Sequence, residues 1–147
     1  VNKGILKSYL HNSTTAKKYG TKSTANAGLV APHPFNLVIG GGSESVESMI
    51  RSVDKGIYVT NDWYLRYQNY STGDFSTIPR DAMFLIKDGQ IEQSIKDLRI
   101  SDNILNILKK VEKLSKKRSW VKWWQVEVPT LSPTALISSL NFTSSQM

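Results

Sequence analysis

The spacing of apolar side chains changes period along the chain, and those changes outline its elements. Val46, Met49, Ile50 and Val53 recur at intervals of three and four residues, the signature of one helix face. Ser43 precedes them as an N-cap, Glu44 and Glu47 put negative charge on the first turns, and Gly56 follows as a stop. This predicts a helix over about 43–54. A second helix is predicted over about 102–115, capped by Ser101 or Asp102, with Ile104, Leu105, Leu108 and Val111 on its buried side. Elsewhere the period is two. Trp63, Leu65 and Tyr67 alternate with Tyr64, Arg66 and Gln68, a strand with one apolar and one mixed face. Segments 82–87 and 90–95 flank Asp88-Gly89, which predicts a hairpin with a two-residue type I′ turn. Shorter strands are read at 35–39, 57–60, 98–100, 120–128 and 135–142, with Pro129 and Pro133 between the last two. Gly40, Gly41 and Gly42 break the first of these, and 69–79, rich in Ser, Thr, Gly and Asp, reads as a loop. Residues 1–29 are polar; Ile5, Leu6, Tyr9 and Leu10 suggest a short strand or helical turn, and 14–18 a second turn ended by Gly20. The sum is an α+β fold: a strand-dominated domain of mostly antiparallel sheet, or barrel-like strands, with two helices.

Composition narrows the function more than the fold. The chain has 147 residues, the size of one domain, and no internal repeat. With no Cys it cannot form disulfides, a thiolate zinc site, an iron–sulfur cluster or a Cys nucleophile. No segment approaches the roughly 18 apolar residues of a membrane helix. The start lacks the apolar stretch of a secretory leader, so a cytoplasmic protein with no membrane partner is expected. In that setting the three Asn-X-Ser/Thr sequons, at Asn12, Asn69 and Asn141, read as chance matches. The first residue is Val, which suggests a fragment or a processed product.

The formal net charge is +7, and Lys109, Lys110, Lys113, Lys116, Lys117 and Arg118 cluster in one stretch opposed only by Glu112. Such a run complements the C-terminal dipole of a helix. Tryptophans lie beside it, so Lys113, Lys116, Lys117, Arg118, Trp120 and Trp123 form a candidate basic and aromatic surface able to stack single-stranded bases. His11 and His33 lack the HExxH spacing, Gly40-Gly41-Gly42-Ser43 is neither a dinucleotide nor a Walker motif, and no GxSxG elbow occurs. No catalytic or metal-ligating residue is assigned. The candidate peptide or partner contacts are polar residues between strands: Asn26 and Gly28 in one loop, Thr72, Gly73 and Asp74 in another, with Arg80 and Asp81 just beyond. For Thr72-Gly73-Asp74 a plain tight turn is the competing reading.

Particular stretches go further. Gly4 to Leu10 (GILKSYL), Thr15 to Gly20 (TAKKYG) and Ser23 to Gly28 (STANAG) resemble the central block of the TldD/PmbA family, also described as modulators of DNA gyrase. Asp54 to Thr60 (DKGIYVT), the Thr72-Gly73-Asp74-Phe75 loop, Phe84 to Ile91 (FLIKDGQI) with Leu98-Arg99-Ile100, and Leu140 to Thr143 (LNFT) resemble its later segments in order. The likeness is to the PmbA side. It implies that 1–147 is a single C-terminal domain of a longer protein. It also implies metal-dependent proteolysis, with a histidine–glutamate–histidine helix upstream of this region and a Cys ligand near the C-terminus of the metal-bearing type. PmbA-like members generally lack those ligands and pair with a metal-bearing subunit. The resemblance therefore implies no cofactor in this chain, and zinc or another divalent metal in a partner. The implied partners are a TldD-like subunit or a homo-oligomer, together with an unfolded peptide. The function implied is the non-catalytic half of an intracellular metalloprotease assembly. The alternatives are a regulatory module binding DNA gyrase or nucleic acid, and part of an active metallopeptidase whose ligands lie upstream. One departure stands out: family members carry Gly where this chain has Ala25, and the lost access to positive φ predicts a differently shaped loop.

Overall fold

The structure, a computed structural model, describes residues 1–144. In chain order the elements are α1 (Ser13–Lys18), β1 (Leu37–Val38), α2 (Val46–Arg51), β2 (Lys55–Val59), β3 (Asp62–Asn69), β4 (Asp74–Pro79), β5 (Met83–Lys87), β6 (Gln90–Ile95), β7 (Leu98–Asn103), α3 (Ile104–Lys109), β8 (Val111–Trp123), β9 (Val126–Ile137) and β10 (Phe142–Ser144). They form two compact units. One comprises Val1–Val38 and Trp120–Leu131; the other runs from Ile39 to Ser119 and resumes at Ser132.

The second unit holds most of the core. Its four-stranded antiparallel sheet has the order β10-β7-β4-β3, and its three-stranded antiparallel sheet the order β2-β5-β6. Phe75 on β4, Met83 and Ile86 on β5, Ile100 on β7 and Met49 on α2 are buried. Ser76 is buried beside them and is satisfied across the strands, facing the Ser101 hydroxyl at 3.1 Å and accepting from Arg99 Nη1 at 2.9 Å. The Asp88-Gly89 hairpin forms as predicted, with both residues at positive φ (47° and 75°) and Lys87 opposite Gln90. The turn is seated on the chain after α2: Asp88 N–H donates to the Asp54 carbonyl at 2.7 Å, and Gly89 N–H to that of Val53 at 2.9 Å. In the other unit, β1 runs parallel to β9, with Leu37 opposite Thr130.

The α+β, strand-dominated reading holds, with corrections. None of the three sheets closes into a barrel. There are three helices among the described residues, and each is six residues long. The turn expected at 14–18 is the helix α1, whose capping box pairs Asn12 with Thr15. The helix expected over 43–54 starts late, capped by Ser45 in place of Ser43. Residues 42–44 are held against β8 instead: Gly42 N–H donates to the Ser115 carbonyl at 3.1 Å, and Lys116 N–H to that of Glu44 at 2.7 Å. Val46, Met49, Ile50 and Val53 do face inward.

The helix expected over 102–115 stops at Lys109, and from Val111 the chain is strand β8. Lysine and leucine suit a helix, but pairing with β9 overrides that preference, and Ser138 N–H takes the Lys110 carbonyl at 3.0 Å. The basic run therefore lies on a strand. Leu105 and Leu108, expected to be buried, are exposed; Ile104 and Ile107 face inward. The strand expected at 120–128 is broken by a turn at Trp124-Gln125, and β9 continues through Pro129 and Pro133. The loop expected over 69–79 is short, because β4 begins at Asp74.

Candidate functional site

Asn69 shapes the turn that carries Thr72, Gly73 and Asp74. Its side-chain oxygen accepts from the N–H groups of Ser71 (2.9 Å) and Thr72 (3.3 Å), and its carbonyl from Gly73 N–H (2.9 Å). Gly73 sits at φ 80°, and a Cβ there would lie 2.7 Å from Ile104 Cγ2, so both conformation and space require glycine. The Thr72 hydroxyl donates to Asp74 Oδ2 at 2.5 Å.

Asn103 closes the arrangement. Its amide nitrogen donates to the Thr72 carbonyl (2.7 Å) and to Asp74 Oδ1 (2.8 Å). Its side-chain oxygen accepts from the N–H groups of Leu105 (3.0 Å) and Asn106 (3.4 Å), which caps α3. One amide thus ties the turn to the helix, using both donors and its acceptor. Sequence reasoning missed Asn103. The signal for it was an Asn immediately before Ile104, where Ser101 and Asp102 drew the cap assignment instead.

Hydrogen bonds from Asn103 and then Thr72 hold the Asp74 carboxyl below the ordinary carboxylate range. At Asp102 burial works against the charge, yet the N–H groups of Asn103 (2.7 Å) and Asn141 (3.0 Å), with Lys110 nearby, keep its pKa lowered too. Asp74, Asp102, Asn103, Asn106, Lys110 and Asn141 line an open depression of about 430 Å³. A carboxyl whose pKa is depressed in the folded state stabilises that state above its unfolded pKa, and loses the contribution as pH falls through the folded value. Hydrogen exchange of the turn and of α3 is therefore expected to accelerate as pH drops below about 4, after correction for intrinsic rates. Asp74→Asn should remove the Asp74 share of that extra pH dependence and leave that of Asp102.

Arg80 and Asp81 stand at the other end of β4, roughly 17 Å away along the strand at about 3.3 Å per residue. The structure does not bring them to the Thr72 turn. The Arg80 guanidinium lies 5.4 Å from the Tyr64 ring centroid, and Asp81 Oδ2 accepts from Asn61 Nδ2 at 3.0 Å. Tyr64 is at φ 61°, where the β3–β4 register shifts between Trp63 and Arg66.

In the first unit, Asn26 and Gly28 shape a loop that closes on itself. Asn26 Nδ2 donates to the His33 carbonyl, and His33 N–H to that of Asn26, each at 3.3 Å. A Cβ on Gly28 would lie 2.2 Å from the Ala31 carbonyl oxygen. Ala25, where a differently shaped loop is expected, adopts φ 59°, the left-handed conformation that glycine takes freely. Ala25→Gly is therefore expected to raise stability by about 0.5–1 kcal/mol, read as a higher urea midpoint at unchanged slope.

The basic run lies in the second unit, and Trp120 and Trp123 in the first. Lys113 Nζ donates to Ser52 Oγ at 2.9 Å and Arg118 Nη1 to the Ile39 carbonyl at 3.2 Å, so both brace the fold. Lys116 and Lys117 line an open depression of about 460 Å³ with Ser43, Glu44 and Ser45. Trp120 is 61% exposed and Trp123 41%, the latter with its ring centroid 6.1 Å from that of Trp124. The sequon asparagines are committed to the fold: Asn12 caps α1, Asn69 builds its turn, and Asn141 Nδ2 donates to the Ser101 carbonyl at 2.7 Å.

Among the described residues no three His, Asp or Glu side chains converge as a metal site requires, and His11 Nδ1 is 3.2 Å from Thr15 Oγ1. The described side chains do not fit a metal centre. No helix among the described residues is long and apolar enough to cross a membrane.

Residues 1–144 match the family of the PmbA/TldA metallopeptidase C-terminal domain. A metalloprotease PmbA homolog of Buchnera aphidicola is 33% identical over 114 residues, which are 76% of this chain and 23% of that protein. A solved Thermotoga maritima protein, named for modulation of DNA gyrase, superimposes with a TM-score of 0.81 at 28% identity, over 95% of this chain and 31% of its own. TldE of Thermococcus kodakarensis gives a TM-score of 0.81 at 23% identity, over 96% of this chain and 32% of its own, a likeness of fold. The chain thus spans about a quarter of the length of the curated relative.

Proposed function

The chain belongs to the PmbA/TldD family as a C-terminal domain, and on that premise we propose that it is the non-catalytic C-terminal domain of a PmbA-like subunit in a cytoplasmic metalloprotease assembly. In this reading it supplies contacts to a metal-bearing, TldD-like subunit and part of the wall along which an unfolded peptide lies. The divalent metal, zinc or another, resides in the partner.

One observation carries the reading. The polar candidates are engaged in the fold itself, while large apolar side chains stay uncovered. Asn26, Thr72, Asp74 and Asp81 have their side chains in hydrogen bonds within this chain. Trp120, Trp124 and Tyr70 are exposed. Side chains deployed this way hold loops in shape for a neighbour, and exposed apolar surface marks a contact face. An extended peptide needs only a backbone edge and pockets beside it, which a shaped loop next to a strand provides.

The test is isolation of the full-length protein from its source cell, with nuclease treatment in parallel and bound proteins identified by mass. A co-purifying subunit with the histidine–glutamate–histidine motif is expected. Recovery of gyrase or of nuclease-sensitive nucleic acid, without such a subunit, overturns the proposal in favour of a regulatory binding module.

A further inference from the structure

β8 is 13 residues long, and among the described residues it stands last in its sheet, with β9 on one side and no named strand on the other. A long strand edge offers a row of backbone N–H and C=O groups to any extended chain. The same strand of a second copy is always present at the protein's own concentration.

One stretch of that edge is covered. Residues 42–44 lie along it, with Glu44 opposite Ser115 in a parallel bridge. Gly42 N–H donates to the Ser115 carbonyl at 3.1 Å, and Lys116 N–H to that of Glu44 at 2.7 Å. Arg118 Nη1 holds the Ile39 carbonyl just before. Glycine makes the approach possible, because a Cβ at position 42 would collide with the Leu114 backbone.

Ser115 is arranged to receive this cover, and it is 1% exposed. Its hydroxyl accepts from Thr134 N–H of β9 at 2.9 Å and donates to the Lys117 carbonyl at 2.6 Å. The side chain thus answers β9, while the Ser115 carbonyl goes to Gly42. A local irregularity of this kind is one way an edge is blunted. Charge protects the same stretch. Lys113, Lys116, Lys117 and Arg118 lie within six residues, and two copies of β8 side by side would set like charge against like. The glycine triplet and the basic run, neither of which the proposed function requires, thereby acquire one shared role.

We infer that residues 39–44 are a strap that keeps the edge of β8 from pairing with β8 of a second copy, with the cations on the strand as a second barrier.

The test uses the full-length protein, half of it isotope-labelled, and an amine-reactive cross-linker whose products are mapped by mass. Gly42→Ala lifts the strap. Links among Lys113, Lys116 and Lys117 of labelled and unlabelled copies should rise at least fivefold over the unaltered protein. Higher salt screens the cations and should raise them further. Ser115→Ala removes the hydroxyl's two hydrogen bonds without a backbone clash; it should give the same links in smaller yield, even where Gly42→Ala fails to fold. Gly73→Ala is the control for general destabilisation, since its Cβ would press on Ile104 of α3 and not on the strap. It should leave β8-to-β8 links at the level of the unaltered protein. Absence of these links in Gly42→Ala and Ser115→Ala overturns the inference. Equal links in Gly73→Ala overturn it too, because they would report unfolding at large and not a released edge.

Discussion

Gly42→Ala is expected to destabilise the protein by about 3 kcal/mol or more, at or beyond the upper end of what overpacking a tight contact usually costs. A Cβ at position 42 would lie 2.0 Å from the Leu114 carbonyl oxygen and 2.8 Å from its carbon. Those are backbone atoms of β8, so no side chain can swing away to relieve the clash. The segment would have to move off β8, losing the Gly42 N–H bond to Ser115 and the Lys116 N–H bond to Glu44. The neighbouring glycines are internal controls. A Cβ at Gly41 would lie 3.3 Å from the Lys116 carbonyl oxygen, a tight contact that small shifts relieve, and Gly40 faces open space. Urea unfolding of the three alanine variants should rank Gly42 far above Gly41, with Gly40 near zero. Hydrogen exchange should place the Gly42 loss at 42–46 and 113–117. Equal effects at all three positions would mean that the close approach to Leu114 does not hold the segment in place.

Asn103→Ala is expected to cost about 1–2 kcal/mol, the range for loss of an N-cap, and to release the 71–74 turn as well. Asn103 caps α3, donates to Asp74 and also holds the Thr72 carbonyl. Asn103→Asp separates the roles: it keeps an oxygen for the cap, but removes the donors and sets a second carboxylate beside Asp74. It should therefore recover little stability at neutral pH and more of it in acid, where one carboxyl takes a proton. Protection of α3 amides in hydrogen exchange would report the cap, and protection of 71–74 the turn. If Asn103→Ala leaves 71–74 protected, the helix and the turn are independent.

Local chemistry made part of this fold legible. Asp88-Gly89 specifies its own backbone conformation, and the Val46, Met49, Ile50 and Val53 stripe specifies which side of α2 turns inward. Distant parts of the chain decided the rest. Nothing near Val111 announces a strand; the ladder to β9 imposes it. Pro129 and Pro133 look like breaks, yet β9 runs through both, and among the described residues β1 pairs with it only at Thr130 and Leu131. Ser43 looks like a cap, but the glycines before it draw residues 42–44 onto β8 and pass the role to Ser45. The candidate residues at 72–74 were visible as a turn, whereas their anchor, Asn103, lies about thirty residues on and becomes their neighbour only through the pairing of β4 with β7. At Ala25 the bonds of Thr24 with His11 and of Ala25 N–H with Ser23 hold a left-handed residue in spite of its steric cost.

The proposed role of this domain is in the non-catalytic partner of a metal-bearing subunit. Its most direct test is a peptide hydrolysis assay with three purified samples: the full-length protein, a metal-loaded TldD-like subunit from the same organism, and an equimolar mixture. No hydrolysis by the full-length protein is expected with or without added zinc, and hydrolysis by the mixture that a chelator abolishes. Metal-dependent hydrolysis by the full-length protein alone would contradict it, and would place the ligands in the same polypeptide as this domain.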